Sequence, residues 1–395
     1  MNRKISLFSL FMLATGTLFY TACKKIEVVK NIYNAVPVLP AAAFDYMTFT
    51  TPEGTFDIKT SFMKQSGDLF FNGGIIADPQ LGEFKGNEDM SNETVTLGRV
   101  LFYDKRLSIN NTVACGSCHH QSQAFSDGLA FSAGFGDKKT GRNSMAIITP
   151  LSMNSLFWDS RANSALDLSL RPVFNHIEMG MESDAMLMQK IGQLPFYKSL
   201  FNAAYGSQNV SRELISKAVS DFLNSMVTLN SKFDQGEKNG FSNYTAMEKL
   251  GKDLFFSSRL NCASCHAGKT FSAPDQPGGA YSQPTVKGTA NIGLDVSYAD
   301  NGKGNGKFRI PSLRNIGLTA PYMHDGRFAT LEEVVDHYNS GIKSHPNLDE
   351  NLKEKGLPRR MNLSPIEKSA VVAFLRTLTD DAFISDKKYS NPFKS

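Results

Sequence analysis

The pentapeptide Cys-x-x-Cys-His occurs twice in this chain, as Cys115-Gly116-Ser117-Cys118-His119 and as Cys262-Ala263-Ser264-Cys265-His266. It is the attachment signal for c-type haem: the two thiols add across the haem vinyl groups, and the histidine beside them supplies an axial imidazole to the iron. One match could arise by chance; two, each following the same kind of helix pattern, make chance a poor account. The spacing predicts two covalently bound haem c groups and redox chemistry. Cys115 and Cys118 would hold one and Cys262 and Cys265 the other, with His119 and His266 on the irons. Four of the five cysteines sit in these motifs, so none remains to pair as a structural disulfide. A zinc site would need further Cys or His at ligand spacing, and the histidine immediately after each second cysteine is better explained by haem than by zinc or a thiol redox pair.

The fifth cysteine bears on location. A short basic start, Asn2-Arg3-Lys4, precedes a mostly apolar run from Ile5 to Ala22. That run has the length of a signal h-region and is short for a spanning helix. The small residues ahead of Cys23 resemble a bacterial lipoprotein signal, although Tyr20 stands where Leu is usual. The expectation is cleavage before Cys23 and lipidation of its thiol and new amine. An ordinary signal peptide with a leftover thiol is the alternative. Either way the chain is exported to the periplasm or cell envelope, where haem c is attached, and the membrane is met only through the lipid. No second apolar run is long enough to span a bilayer. With 42 basic and 38 acidic residues and no basic block, nothing favours a nucleic-acid partner.

A degenerate repeat sets the fold class. Leu97-Gly98-Arg99-Val100-Leu101-Phe102-Tyr103-Asp104-Lys105-Arg106-Leu107 precedes the first motif, and Leu250-Gly251-Lys252-Asp253-Leu254-Phe255-Phe256-Ser257-Ser258-Arg259-Leu260 the second. The apolar spacing predicts a short amphipathic helix in each. Each unit also closes with a helix. Ser211 can cap one carrying Ile215, Val219 and Phe222. Ser364, Pro365 and Glu367 form a capping box ahead of Ala370, Val371 and Phe374. Helix, motif, loops and closing helix describe a cytochrome c-like domain. The expected fold is mainly α, with two such haem domains over 91–236 and 240–395, a signal over 1–22, and a tether and loosely structured extension over 23–90. The joint is expected near Phe233–Ser242, rich in Gly, Asn and charge.

Between and beyond the motifs the sequence resembles the bacterial di-haem cytochrome c peroxidases and their MauG-like relatives, from about Leu97 to Asp380. Gly141-Arg142-Asn143 is followed by Phe157-Trp158-Asp159-Ser160-Arg161-Ala162, then by Asn175-His176-Ile177-Glu178-Met179. Past the second motif come Arg309-Ile310-Pro311-Ser312-Leu313-Arg314-Asn315, Leu318-Thr319-Ala320-Pro321-Tyr322-Met323-His324-Asp325-Gly326 and Thr330-Leu331-Glu332-Glu333.

The resemblance implies a peroxidatic N-terminal haem and an electron-transfer C-terminal haem. It implies Glu178 as the distal acid–base group, since peroxide cleavage needs a proton moved from one oxygen to the other. It places Trp158, the only tryptophan, between the haems on the electron path; ordinary core packing is the alternative. Asn143 and the carbonyls of Thr319 and Pro321 match a calcium site completed by water. His324 matches an inter-haem histidine. Hydrogen peroxide is the implied substrate and a small cytochrome c or cupredoxin the implied donor, with a homodimer as a further expectation.

Two positions depart from the familiar peroxidases. Phe135 stands where they carry a histidine that blocks the peroxidatic iron. Tyr338 stands where they carry a methionine on the second iron, as it does in MauG-like proteins, with Met323 as the alternative ligand. A tyrosinate favours ferric iron and lowers the potential. His120, His176, His337 and His345 are expected at the surface or behind ligands. An oxidase acting on a protein or organic substrate, and a pure electron-transfer protein, are the competing functions.

Overall fold

The computed structural model describes residues 33–61, 87–150, 153, 155–272 and 288–393; the leader and Cys23 lie outside them. The architecture is mainly α. Among the described residues, the α-helices of five or more residues are α1 (Asn92–Tyr103), α2 (Asp184–Gly192), α3 (Pro195–Tyr205), α4 (Arg212–Asn224), α5 (Lys232–Lys238), α6 (Ala246–Phe256), α7 (Leu331–Asp336), α8 (Pro365–Arg376) and α9 (Asp381–Ser385). Among the described residues strand is confined to three two-stranded antiparallel sheets, the first pairing Thr48–Thr51 with Gly54–Asp57. Among the described residues no helix is long and apolar enough to cross a membrane.

The internal repeat survives in three dimensions. α1 packs on α4, and α6 packs on α8. The glycine after the leucine of each repeat sits at the crossing. A Cβ on Gly98 would lie 1.8 Å from the Ala218 carbonyl oxygen, and one on Gly251 would lie 1.9 Å from that of Ala370. Any side chain there would push the helices apart, because interiors are close-packed and carbonyls cannot yield. Next to each crossing an aromatic pair fills the core: Phe102 with Phe222 at 5.2 Å, and Phe255 with Phe374 at 5.0 Å between centroids. Each of these buried rings contributes about 1.5–3 kcal/mol by leaving water.

Both repeat helices start and stop earlier than the apolar pattern predicts. Ser91 and Thr245 cap them, each with a capping box. α1 stops at Tyr103 because the Asp104 carboxylate accepts from the Arg106 N–H and starts a separate 3-10 turn, Lys105–Leu107. Asp104 is fully buried, paired with Arg106 at 2.9 Å and accepting from the Tyr197 hydroxyl at 2.7 Å.

The joint between the units is more ordered than its composition suggests. Residues expected to form a linker make α5, capped by Ser231 with Asp234. The first core also takes in both ends of the described chain. Tyr46, Phe49 and Ile58 pack into it from the extension, so this part of 23–90 is not loose. Phe383, Tyr389 and Phe393 pack into it as well, although sequence order places them with the second unit. Tyr389 explains this: its hydroxyl donates to the Ser225 carbonyl, and its own carbonyl accepts from the Tyr103 hydroxyl, both at 2.7 Å. Pro37 bridges to Phe393, and the Val38 N–H bonds the Pro392 carbonyl. The closing helix α8 belongs to the second core, with Phe255, Phe271 and Phe374.

Candidate active site

The two Cys-x-x-Cys-His segments fold alike. Each opens with a 3-10 turn, Cys115–Ser117 and Cys262–Ser264. In each the histidine N–H bonds back to the carbonyl of the first cysteine at 3.0 Å. His119 Nδ1 lies 2.6 Å from the Phe125 carbonyl oxygen, and His266 Nδ1 lies 3.1 Å from that of Phe271. A carbonyl can only accept, so the proton is assigned to Nδ1 and the Nε2 lone pair is left for a metal. Such outer-shell carbonyls fix the tautomer and ring orientation of ligating histidines. Burial holds both imidazoles neutral, lowering His119 below its ordinary value and His266 to about 4.

The four cysteines of the motifs form no disulfide. Burial pushes the Cys115 and Cys262 thiols up to about 12. A mostly apolar cavity opens beside the second motif, walled by Ile310, Leu331, Val371 and Leu375 and reaching Cys262, Cys265 and His266. Unpaired thiols, neutral imidazoles with Nε2 available and an apolar cavity suit covalently attached haem c. Among the described residues no three or more His, Cys, Asp or Glu side chains gather as a metal cluster, which leaves zinc without a ligand set.

Glu178 lies near the first motif. Burial chiefly raises the Cys115 and Cys118 thiols, and the Glu178 charge adds to the rise in both. Asn175 holds it: the amide donates to Oε1 at 2.9 Å, while the amide oxygen accepts from the Ile177 N–H at 2.8 Å. Burial raises the Glu178 carboxyl above its ordinary value, and Arg161 partly opposes this. The Phe135 N–H bonds the Glu178 carbonyl at 3.0 Å. Gly180 has φ +69°, and a Cβ there would sit 2.3 Å from the Phe135 ring. Phe135 thus packs against the loop that presents Glu178, and its ring has no donor atom for iron.

Trp158 lies at the seam between the units. Its Nε1–H donates to the Asn143 carbonyl at 2.9 Å, and its carbonyl accepts from the Arg309 N–H at 2.7 Å. The neighbouring Ser144 hydroxyl donates to the Cys118 carbonyl at 2.8 Å. Trp158 also lines the cavity of the second motif. It therefore connects to one attachment turn through two residues and shares a cavity with the other. Asn143, Thr319 and Pro321 line that cavity too. The Asn143 amide donates to the Leu129 carbonyl, and its N–H bonds the His324 carbonyl. His324 is buried and stacks on Phe308 at 3.7 Å.

Sequence reasoning missed the clamp at this seam. Arg142 binds Asp300 through Nε at 2.6 Å and Nη2 at 2.8 Å, and Asp159 at 2.7 Å. Arg142 stands inside a quoted motif, but its acidic partner Asp300 is far along the chain and no local pattern points to it.

Tyr338 and Met323 both line the cavity of the second motif. Tyr338 sits in a π-helical turn, His337–Gly341, that continues α7. Single π turns recur at functional sites because they re-aim one side chain. Burial and the neighbouring Cys265 and Cys262 sulfurs hold the Tyr338 phenol above its ordinary value. His337 is buried, with Nε2 3.0 Å from the Ile292 carbonyl oxygen. His120 and His176 are exposed and His345 is half-buried.

Comparison with known proteins agrees with this arrangement. The family described as di-haem cytochrome c peroxidase matches residues 92–240. The methylamine utilization protein MauG of Methylorubrum extorquens is 31% identical, covering 72% of this chain and 78% of its own. The cytochrome c551 peroxidase of Nitrosomonas europaea is 30% identical, covering 80% and 89%. A solved MauG-like protein associated with microbial copper homeostasis is 36% identical with a TM-score of 0.68, covering 77% of this chain and 94% of its own. With relatives this similar over most of their length, and both attachment turns folded alike around neutral histidines, the chain belongs to the di-haem cytochrome c peroxidase and MauG family.

Proposed function

We propose that this protein reduces hydrogen peroxide to water with two electrons from a small exported carrier, a c-type cytochrome or a cupredoxin. Relatives named cytochrome c peroxidase support the reading. Bound haem c supplies the redox-active iron and the electron store. The residues of the chain do the rest. The Glu178 carboxylate takes a proton from one peroxide oxygen and returns it to the other, while Asn175 holds that carboxylate in place. His119, with Nδ1–H anchored on the Phe125 carbonyl, keeps its lone pair directed away from the backbone. Trp158 carries electrons across the seam. The observation that carries this reading is a half-buried carboxyl near the first attachment turn, held by a dedicated amide. Turnover of peroxide with a panel of reduced carriers tests it; no turnover with any donor would defeat it.

A MauG-like oxidase acting on a protein or organic substrate is the second reading. Tyr338 favours it, because a tyrosine faces the second haem cavity where the peroxidases carry methionine. The ferric haem-loaded protein is expected to show one high-spin and one low-spin electron paramagnetic resonance signal. The first follows from Phe135, which has no donor, and the second from Tyr338 as a hard sixth ligand. Tyr338→Phe should alter the low-spin signal and Met323→Leu should not. The reverse pattern would make Met323 the ligand, and two low-spin signals would mean that another group blocks the first iron. A transfer-only protein would leave the placement of Glu178 without a purpose.

Three further assignments belong to this reading. Cys23 anchors the mature protein to a membrane facing the periplasm; Cys23→Ser with fractionation tests this, and an unmodified native protein free of membrane would defeat it. Calcium binds near Asn143, Thr319 and Pro321, completed by water; metal analysis after chelation checks it. The oligomer is a homodimer, which sedimentation would measure.

A further inference from the structure

A second cavity, open to solvent, lies in front of Glu178, with a volume of about 370 Å³. None of its lining residues belongs to the Cys115–His119 motif. Phe157, Leu170 and Phe174 give it an apolar wall, and Arg161, Arg171 and Arg212 a cationic one. Glu178 is the only carboxylate among the described residues that line it. The size is far beyond what hydrogen peroxide needs, since a water's share of liquid volume is only about 30 Å³. Nor does a neutral peroxide call for three guanidinium groups.

The arginines come from three separate segments and are each held from behind. Arg161 pairs with Asp159 at 2.8 Å, Arg171 with Asp167 at 2.7 Å and Arg212 with Asp184 at 2.9 Å. None of those aspartates lines the cavity. Arg161 and Arg212 bond their partners through Nη1 alone, and Arg171 uses Nε and Nη2, so other N–H groups of each fork remain outside the ion pairs. Two of the forks also lie on rings: Arg161 over Phe157 at 3.6 Å and Arg212 over Phe174 at 4.7 Å. Stacking of this kind fixes the plane while leaving the edge free to bind a carboxylate. The aspartate pairs of Arg171 and Arg212 are solvent-exposed and weak, so they do not cancel the attraction for an anion.

We propose that this cavity is a vestibule for organic hydroperoxides that carry a carboxylate. The hydrocarbon part lies on Phe157, Leu170 and Phe174, the carboxylate is met by Arg171 and Arg212, and the hydroperoxyl group points to Glu178. The chemistry rests on the peroxidase reading above. The O–O bond of R–OOH breaks, two electrons from the same carrier and two protons enter, and R–OH and water leave. Glu178 shifts the proton between the two oxygens as it does for hydrogen peroxide.

Two measurements on the haem-loaded protein test this. In the first, benzoate and its neutral isostere benzamide are titrated against the haem spectrum. Benzoate should bind roughly tenfold more tightly, the value of about one charged hydrogen bond, and the Arg171→Gln/Arg212→Gln double variant should lose that margin. In the second, cumene hydroperoxide is compared with its para-carboxylate as oxidant. The carboxylate should have roughly tenfold higher kcat/KM through KM, fading with added salt and in the double variant. Equal binding of benzoate and benzamide, or a double variant that keeps the preference, would overturn the proposal. So would loss of haem from the double variant, which would give the arginines to the haem propionates instead. Normal hydrogen peroxide turnover without carboxylate preference would sink the vestibule alone. Benzoate selectivity in a protein inactive with every peroxide would support the anion site and sink the peroxidase reading.

Discussion

Glu178→Gln is expected to keep its haem and its fold and to lose roughly two to four orders of magnitude in peroxide turnover, the usual worth of a positioned acid–base group. Glutamine keeps an oxygen that can accept from the Asn175 amide, so the loop 175–178 has no reason to move. What it lacks is a proton that can be exchanged. The carboxyl is suited to that exchange because burial raises it above its ordinary value, with Arg161 opposing. Peroxide kinetics of the variant, read beside an unchanged haem spectrum, check the prediction. Turnover close to that of the parent protein would remove Glu178 from the mechanism.

The second large effect is structural. Arg314→Met is expected to destabilise the second unit by about 3–5 kcal/mol, because it strands a buried carboxylate. Arg314 is 1% exposed and grips Asp234 with both ends of its fork, Nη1 at 2.8 Å and Nη2 at 2.7 Å. Its Nε–H donates to the Lys269 carbonyl. That bond lies in the loop between His266 and Phe271, whose carbonyl orients the histidine. The pair therefore ties α5 to the turn that holds the His266 imidazole.

The sign with pH follows from the same contacts. Despite burial, Arg314 and the Ser231 donors hold the Asp234 carboxyl below its ordinary value. Its contribution is present above the unfolded value, about 3.9, and is lost as pH falls through the lower folded one. In the variant burial acts unopposed by the guanidinium, and the orphaned carboxyl can take up a proton in acid. The destabilisation seen in urea at pH 7 should therefore shrink toward pH 4. A constant penalty across that range, or one below about 1 kcal/mol, would show that the pair is not what holds the loop.

The features legible in the sequence are those that local chemistry fixes. The attachment turns are five residues long, and their thiols and imidazole must be adjacent for haem chemistry. The crossings at Gly98 and Gly251 were visible as a repeat because each needs the same small residue one position after a leucine. Capping boxes marked the start of α8 for the same reason. Helix ends were less legible: Asp104 stops α1 through its own side chain, where the apolar pattern alone runs on to Leu107. The composition near Phe233–Ser242 suggested a flexible joint, and the buried partner that makes it a helix, Arg314, is far away in sequence.

By itself, then, the sequence determined two Cys-x-x-Cys-His turns, the repeat helix ahead of each, their closing helices and the residue types available for peroxide chemistry. Tertiary structure alone decided that residues 381–393 and the described part of the extension pack on the first unit, that Arg142 bridges the seam to Asp300, and that three arginines meet in front of Glu178. Those contacts join residues far apart in the chain, and their stability comes from burial and charge pairing that exist only once the chain has closed around its cores. Periodicity and spacing report on neighbours along the chain; burial and ion pairing report on neighbours in space.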